Sequence, residues 1–394
     1  MTTKREITQK TWVAIDLAAL RGNLRAMSAT IGPERSIILV VKSDAYGHGA
    51  RSVVDAAADV GIAHFAVATV DEGEALRRFN VTGEILLLHP PLAFEMERTI
   101  AANLTPTISD ERTARQFNDL LSGARRPVHV EVNTGMNRLG VNWQDAAETI
   151  ARISRLPHLT IGGVFTHSRT AMPTDADAVH EQISRFREVL ADCTARGIDP
   201  GVCHAASSYV LAYHPETLCD AVRPGLLAYG GLVIDAARAV DPTLTAIKPV
   251  MSVHTRVLHL RDVGAGEWIH YGDAFRAERP MRVAVLPIGY GMGYSRHLTN
   301  KAQVLIDGHR APVVGTVGMD MTVVDLAGID GVSVGEPVTI LGRDGDDAIT
   351  AEELARWAGT IPYEITCRLG NGLPRCVVGA EVPAAGLTAT TAGR

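Results

Sequence analysis

Residues 37–49 read Ile37-Ile38-Leu39-Val40-Val41-Lys42-Ser43-Asp44-Ala45-Tyr46-Gly47-His48-Gly49. The five apolar residues at 37–41, four of them β-branched, predict a strand that is buried on both faces. Lys42 follows at the end of this strand, before a polar turn punctuated by glycine. Burial there disfavours the charged form, so the pKa of the lysine falls and its neutral amine can form a Schiff base with a carbonyl group. Taken alone, the stretch favours a simpler interpretation, a lysine whose ammonium group reaches into water.

Length and composition predict a globular protein of two domains. The chain has 394 residues, of which 46% are hydrophobic and 21% charged. A formal net charge of −6 provides no basic surface for nucleic acid. The polar N-terminus lacks the apolar core of a signal peptide, and no apolar run is long enough to span a bilayer. Five scattered cysteines without CxxC spacing favour reduced thiols over disulfides or a zinc site, so we expect a cytoplasmic protein.

Strands and helices alternate regularly through the first 245 residues. A short strand at 11–16 and a helix at 17–32 precede the strand at 37–41. Seven further apolar runs follow at 64–69, 84–89, 105–109, 127–132, 161–167, 202–207 and 219–223. Amphipathic stretches separate most of them, the clearest at 142–156 and 177–196. Eight such units predict a (β/α)8 barrel rather than an open doubly wound sheet, and no G-x-G-x-x-G follows the first strand.

Polar residues collect where the predicted barrel strands end. They are Lys42, Arg138, His167, Ser207, Ser208 and Arg223. A barrel places its active site at the C-terminal ends of its strands, and random placement would scatter these residues over helices and both rims. The coincidence favours an active site.

The pattern changes after residue 245. Alternating runs at 251–260, 281–288, 302–306, 312–317, 321–326 and 337–341 predict strands, with turns at 307–308 and 342–345. One helix is expected at 350–358, with Thr350 as N-cap and Glu353 completing a capping box. We therefore divide the chain into a barrel at 1–245, a mostly β domain at 246–384 and a flexible tail at 385–394.

An ordered set of motifs resembles the alanine racemase family, a barrel plus β domain that depends on pyridoxal phosphate (PLP). The motifs are VVKSDAYGHGA (40–50), NTGMNRLG (133–140), FTH (165–167), HAASS (204–208), VRPGLLAYG (222–230), HYG (270–272), LPIGYGMGY (286–294), GTVGMDM (315–321) and LPR (373–375). The resemblance extends from about residue 11 to 379. It implies a small amino acid as substrate and alanine racemisation as the activity, with D-alanine used for peptidoglycan.

The resemblance implies two catalytic bases. Lys42 corresponds to the lysine that holds PLP, and Tyr271 to a base on the opposite face of the substrate α-carbon. Racemisation needs such a pair, because one group removes the α-proton and another delivers a proton to the other side. In the family this tyrosine reaches the PLP of the partner subunit, so a homodimer with shared active sites is implied.

Further residues correspond to the family's binding positions. Arg223 corresponds to the arginine that faces the pyridine nitrogen, and as a pure donor it keeps that nitrogen unprotonated. His167 corresponds to the residue packed on the cofactor ring. Other positions expected to bind cofactor are Tyr46, Arg138, Ser208, Gly225, Leu226, Tyr290 and Asn371. The positions expected to bind substrate are Arg138, Met319, Tyr271 and Gly318. No metal is expected.

Three departures from the family pattern bear on the site. Glu131 stands where many members carry a carbamylated lysine, and we hypothesise that it orients Arg138 directly. Asn371 and Gly318 replace bulkier residues, which predicts a pocket that accepts serine or another small polar amino acid; other residues could equally refill the space. Met172 stands where an acidic residue at the substrate entry is usual. Asp175 and Asp177 lie downstream of it, and Arg296 corresponds to the arginine that would pair with that acid.

Two other classes compete with a racemase. A PLP decarboxylase of the same plan usually keeps a cysteine near the position of the second base, and Gly318 beside Met319 argues against it. A single-barrel PLP carrier lacks a β domain and an equivalent of Tyr271, and both features count against it.

Overall fold

The computed structural model describes residues 8–170, 173–231 and 241–379. Met172 and the tail at 385–394 therefore lie outside the described residues. In the described part of the chain, no helix is both long and apolar enough to cross a membrane.

The first half of the chain forms a closed barrel of eight parallel strands. After a first strand, β1 (Trp12–Asp16), the strands of this sheet are β2 (Ser36–Val40), β3 (His64–Val67), β4 (Ile85–Leu87), β5 (Thr105–Ile108), β6 (Arg126–Asn133), β7 (Val141–Asn142), β8 (Leu159–Phe165), β9 (Val202–Ser207) and β10 (Ala221–Arg223). Strand β5 pairs with β6 and β10 pairs with β2, which closes the ring; β7 is a short addition beside β6. The predicted (β/α)8 barrel is confirmed, with all eight strands at the expected places.

Helices cover the outside of the barrel, apart from the short segment Lys42–Tyr46, which forms a left-handed turn at the rim. They are α1 (Leu17–Ile31), α2 (Lys42–Tyr46), α3 (Ala50–Ala58), α4 (Val70–Arg78), α5 (Met96–Ala101), α6 (Glu111–Asp119), α7 (Trp143–Ser154), α8 (Ala176–Ala195) and α9 (Ser208–Tyr213). Helix α1 begins at Asp16, whose carboxylate accepts hydrogen bonds from the N–H groups of Ala18 and Ala19. It buries Leu20, Leu24 and Met27, the face that helical spacing predicts.

The second half consists mainly of β structure. Its elements are β11 (Met251–Arg256), β12 (His259–Val263), β13 (Met281–Leu286), β14 (Gln303–Ile306), β15 (His309–Pro312), β16 (Thr322–Asp325), β17 (Pro337–Asp344), β18 (Asp347–Ile349), α10 (Ala351–Ala358), α11 (Pro362–Gly372) and β19 (Arg375–Val378). Thr350 caps α10 as predicted, by accepting from the Glu353 N–H. The sequence did not predict α11, β18 or β19.

Three strand predictions need correction. The single strand expected at 251–260 forms two strands, β11 and β12, which pair in different sheets. Strand β1, which we grouped with the barrel, lies in the seven-stranded sheet of the second half, antiparallel to β11 and parallel to β19. The strand expected at 312–317 is not formed, because β15 ends at Pro312. The turn at Asp307–Gly308 folds β15 back onto β14, and the two strands pair only as far as Pro312. The domain boundaries themselves stay a prediction.

Candidate active site

Lys42 begins a left-handed turn at the C-terminal end of β2. Ser43, Asp44, Ala45 and Tyr46 have φ values of 53° to 55°, a conformation that costs roughly 1–2 kcal/mol for each residue with a side chain. Four such residues in a row persist only where surrounding contacts hold them. Contacts from other parts of the chain must therefore hold this turn.

Glu72 holds the start of this turn. Its carboxylate accepts from the Ser43 N–H at 2.6 Å and from the Ala68 N–H at 2.8 Å. It also completes the capping box of α4 with Thr69. The sequence analysis missed Glu72, although the spacing Thr69-x-x-Glu72 is the signature of a capping box and could have drawn attention to it.

The second half of the chain holds the rest of the turn. Arg375, from the LPR motif, pairs with Asp44 at 2.5 Å and donates to the Gly47 carbonyl at 3.0 Å. A Cβ on Gly47 would lie 2.5 Å from the backbone oxygen of Thr366, so only glycine lets α11 approach this closely. The barrel and the second half thus meet at the residues that follow Lys42.

The surroundings of Lys42 favour its neutral amine. Burial lowers the pKa of Lys42, and the positive charge of Arg138 lowers it further, against the opposing charge of Glu72. An amine with a lowered pKa can act as a nucleophile or a base at neutral pH. This agrees with the chemistry expected of a lysine at a hydrophobic strand end.

Arg223, at the end of β10, is buried and held by three groups. It donates to the carbonyl oxygens of Thr166 at 2.7 Å and His204 at 2.8 Å, and to His204 Nδ1 at 2.5 Å. His167 Nδ1 lies 3.5 Å from the same guanidinium. Burial lowers the pKa of Arg223 to about 10, so the group stays a cation at neutral pH.

A chain of hydrogen bonds leads from Arg223 through the barrel interior. A guanidinium can only donate, so His204 Nδ1 is the acceptor and its Nε2 carries the proton. That Nε2 lies 2.9 Å from His129 Nδ1, and His129 Nε2 lies 3.4 Å from the Glu84 carboxylate. Burial alone would raise the pKa of Glu84, but hydrogen bonds from His129 and His64 hold it below its usual range.

This interior chain fixes the orientation of Arg223 and the tautomers of both histidines. The sequence analysis missed His129 and Glu84. In the run Val128-His129-Val130-Glu131 the alternation of apolar and polar residues points His129 and Glu131 to the same side of β6. That signal was available, but the partners of His129 come from β9 and from Glu84, the residue before β4.

Backbone and hydroxyl groups converge after the last two barrel strands. Ser208 Oγ accepts from the N–H groups of Gly225 at 3.0 Å and Leu227 at 3.2 Å. A Cβ on Gly225 would lie 2.5 Å from the Tyr46 hydroxyl, so only glycine lets this hydroxyl lie against the loop after β10. In barrels of this type, the loops after strands seven and eight are the usual phosphate site.

The structure brings most of the predicted barrel residues into one region. We call this region the barrel-rim cluster: Lys42, Tyr46, Arg138, His167, Ser208, Arg223, Gly225 and Leu226. Charge interactions connect His167 to Arg223, Arg138 and Lys42, and together with burial they lower the pKa of His167 to about 3. His167 is therefore neutral at physiological pH.

Glu131 does not pair with Arg138. Its carboxylate is 5% exposed, and Oε2 has no hydrogen-bond partner among the described residues. Burial raises the pKa of Glu131, while the charges of Arg223 and Arg138 oppose the rise. The hypothesis of a direct contact with Arg138 is thus wrong in this structure, and any influence is exerted through space.

Four further predicted residues form a separate group in the second half, in which all but Gly318 are exposed. We call Tyr271, Tyr290, Gly318 and Met319 the exposed tyrosine cluster. Tyr290 N donates to the Gly318 carbonyl at 2.9 Å, and Thr316 donates to the Tyr271 carbonyl at 2.6 Å. Tyr271 is 70% exposed and Met319 63%. Across the described ranges, no hydrogen bond or ion pair links this cluster to the barrel-rim cluster.

Gly318 does not open space; of the two alternatives, refilling by other residues is the one found here. A Cβ there would lie 2.7 Å from His270 Cε1 and 2.9 Å from the Met321 carbonyl oxygen. The imidazole of His270 fills the space that a side chain at 318 would use, and it packs edge-on against Tyr271 with ring centroids 4.8 Å apart. Of the two departures that suggested serine as a substrate, only Asn371 still supports it.

Asn371 and the entryway residues are less constrained. Asn371 is exposed on α11, next to Gly370, which touches Gly47. Asp175 accepts a hydrogen bond from Thr170, and in the described part of the chain it forms no ion pair with Arg296. Arg296 lines a surface groove with Tyr290, Ser295, His297 and Arg368.

The barrel-rim cluster has the chemistry to hold pyridoxal phosphate. A lysine with a lowered pKa suits its aldehyde, and a buried cation suits its ring nitrogen. The hydroxyls of Ser208 and Tyr46, which lie beside the backbone of Gly225, suit its phosphate. The donor set and the glycine cradle fit the cofactor that the motifs implied.

Comparisons with known proteins agree over nearly the full chain. Residues 15–233 match the model of the alanine racemase N-terminal domain and residues 250–377 that of its C-terminal domain. An alanine racemase from a Nostoc species is 38% identical over 373 residues, which are 93% of this chain and 96% of the relative.

Solved structures agree as well. Alanine racemase from Bacillus anthracis, determined with bound L-Ala-P, is 30% identical with a TM-score of 0.86, covering 95% of this chain and 97% of that one. The Bartonella henselae enzyme, with covalently bound pyridoxal phosphate, is 27% identical with a TM-score of 0.83, covering 94% of this chain and all (100%) of that one. The chain belongs to the alanine racemase family of pyridoxal-phosphate-dependent isomerases.

Proposed function

We propose that this protein interconverts L- and D-alanine, with Lys42 and Tyr271 of the partner subunit as the two bases. The observation that carries the proposal is the setting of Lys42, whose amine has a lowered pKa and whose turn is held from both halves of the chain. The sequence relative from Nostoc and the solved structure from Bacillus anthracis are both named alanine racemases, which supports alanine as the substrate.

Bound pyridoxal phosphate supplies an electron sink that makes the α-hydrogen of the substrate acidic. Lys42 would hold its aldehyde carbon. Ser208, Gly225, Leu226 and Tyr46 would hold its phosphate, with Asn371 nearby on α11. Arg223 stays charged at neutral pH and offers only donors, so it keeps the ring nitrogen free of a proton and limits side reactions.

The chain's own residues then handle the protons. The neutral amine of Lys42 removes the proton on one face of the substrate α-carbon, and in the reverse direction its ammonium form delivers that proton. On the opposite face, the hydroxyl of Tyr271 of the partner subunit delivers a proton, and in the reverse direction its phenolate removes it. Arg138 and the backbone N–H of Met319 would bind the substrate carboxylate, and Tyr290 would line the pocket.

A homodimer with shared sites is supported by the exposed tyrosine cluster. Tyr271, Tyr290 and Met319 present 70%, 42% and 63% of their surface to solvent in one chain. Large exposed apolar residues gathered in one region are typical of a surface that another molecule covers. A second copy that brings this cluster over the rim of the barrel would complete the site.

Alanine and serine should be tested side by side on purified, PLP-loaded protein. We expect L-alanine to racemise at least about tenfold more efficiently than L-serine, because His270 fills the space at Gly318. Asn371 supports the second candidate, serine racemisation, since its amide could bond a hydroxyl group. Loss of circular dichroism of each amino acid measures both rates. Equal or faster turnover of serine would contradict the first assignment.

Glu131 offers a test of electrostatics inside the barrel. Glu131→Gln keeps the size of the side chain but removes an anion that interacts with Arg223 and Arg138. Because the contact is not direct, we expect a loss of about 1 kcal/mol, roughly fivefold in kcat/KM. Glu97→Gln makes the same chemical change on the exposed face of α5 and should change nothing. Unaltered kcat/KM and an unaltered pH profile in Glu131→Gln would contradict this role.

The cellular role follows from the activity. D-alanine is proposed to serve peptidoglycan synthesis. All five cysteines are unpaired, which supports a reducing compartment such as the cytoplasm.

A further inference from the structure

We infer that His180, His214 and Glu216 form a binding site for a late first-row divalent metal ion, with zinc as the representative. One ligand atom from each residue lies within 4.8 Å of the other two. These residues lie outside both the barrel-rim cluster and the exposed tyrosine cluster, so the site is independent of alanine racemisation. We refer to it as the His180 site.

The three side chains come from two elements that pack together. His180 lies in the second turn of α8, and His214 and Glu216 lie in the segment that follows α9. Arg187, also on α8, donates to the Glu216 carbonyl at 2.8 Å and so holds this segment against the helix. The backbone therefore brings the ligands together without the metal.

The distances from Glu216 to each histidine are close to those between neighbouring ligand atoms on one metal ion. His180 Nε2 lies 2.8 Å from Glu216 Oε1, and His214 Nδ1 lies 3.7 Å from the same oxygen. Tetrahedral zinc with bonds of about 2.0–2.2 Å separates neighbouring ligand atoms by roughly 3.3 Å. The two measured separations lie on either side of that value, so small side-chain rotations suffice.

His214 is the buried member of the three ligands. It is 3% exposed, its Nε2 has no hydrogen-bond partner among the described residues, and Nδ1 is too far from Glu216 for a hydrogen bond. A buried imidazole usually has its nitrogens satisfied. A metal ion between His214, Glu216 and His180 would bind Nδ1, while Nε2 is not one of the ligand atoms.

The donor set decides the class of metal. Two imidazole nitrogens and one carboxylate suit zinc and its neighbours, whereas magnesium and calcium prefer oxygen ligands alone. The side chains of His180 and Glu216 are about half exposed, at 52% and 55%. A solvent molecule can therefore take the fourth position, as in other three-ligand zinc sites.

Calorimetric titration of the PLP-loaded, metal-stripped protein with zinc chloride tests the site. We expect one zinc ion per chain with a Kd on the order of 1 µM, and a melting temperature that rises with zinc concentration. His180→Gln and Glu216→Gln should each weaken binding at least about tenfold. Both side chains are half exposed, so both variants should fold and keep the alanine racemisation rate.

His259→Gln is the matched control, since His259 is an exposed histidine on β12. It should leave the zinc affinity unchanged, and so should variants of the partly buried Cys367 and Cys376. Unchanged affinity in both His180→Gln and Glu216→Gln would overturn the proposal. So would the absence of zinc binding below about 1 mM, a concentration that corresponds to only −4.1 kcal/mol.

Discussion

Replacing Lys42 by alanine should abolish alanine racemisation and leave the chain folded. The side chain is proposed both to hold pyridoxal phosphate and to act as one of the two bases, so its loss removes two functions at once. We expect kcat/KM to fall by more than about 10³-fold. The visible absorbance of the bound cofactor should disappear as well, and this readout does not depend on turnover.

The fold should tolerate this change because Lys42 lies after the strand rather than within the core. Its neighbours on the strand, Leu39 at 0% and Val40 at 5% exposure, carry the packing. The turn is held through the backbone of Ser43 and Gly47 and the side chain of Asp44. Melting temperature and far-ultraviolet circular dichroism therefore serve as controls.

Lys248→Ala is the matched variant, since Lys248 is an exposed lysine away from the barrel rim. It should retain cofactor absorbance and activity. If Lys42→Ala kept the absorbance band or most of its activity, the assignment of this residue would be wrong.

Mixing two inactive variants should restore activity. Tyr271→Phe removes only a hydroxyl that is exposed in one chain, and we expect it to lower kcat/KM by at least about 10²-fold. In a hybrid dimer of Lys42→Ala and Tyr271→Phe, one site carries both changes and the other carries neither. Equal mixing yields about half hybrids, so about a quarter of the wild-type activity should return.

The hybrid experiment separates the two ways in which the site can be built. If Lys42 and Tyr271 of the same chain acted together, every hybrid would stay inactive and the shared-site proposal would fail. A mixture of Lys42→Ala and Lys42→Met, treated identically, should show no recovery, because neither subunit supplies the lysine. Size-exclusion chromatography of the mixture establishes that dimers are present.

The barrel was predictable because its signals are local. Each strand appears as a short apolar run bounded by turn residues, and the stretch 37–41 is buried along its length as its composition requires. Closure into a ring follows from the count of eight units. The position of Lys42 at a strand end, and hence at the rim that carries active sites, follows from the same pattern.

The second half was less predictable because its pairing is long-range. Strand β1 lies between β11 and β19, which follow it in the chain by more than two hundred residues. The periodicity of apolar residues along the sequence does not indicate such a distant partner. The same holds for Arg375, whose contacts with Asp44 and Gly47 connect the end of the chain to its beginning.

The sequence by itself determined the barrel, the family and the residue types of the candidate site. Only the tertiary structure decided how those residues are held. It placed Glu72 under the turn of Lys42, connected Arg223 through His204 and His129 to Glu84, and filled the space at Gly318 with His270. The physical reason is that secondary structure and turns depend on neighbouring residues. Hydrogen-bond partners and packing space depend on elements that only folding brings together.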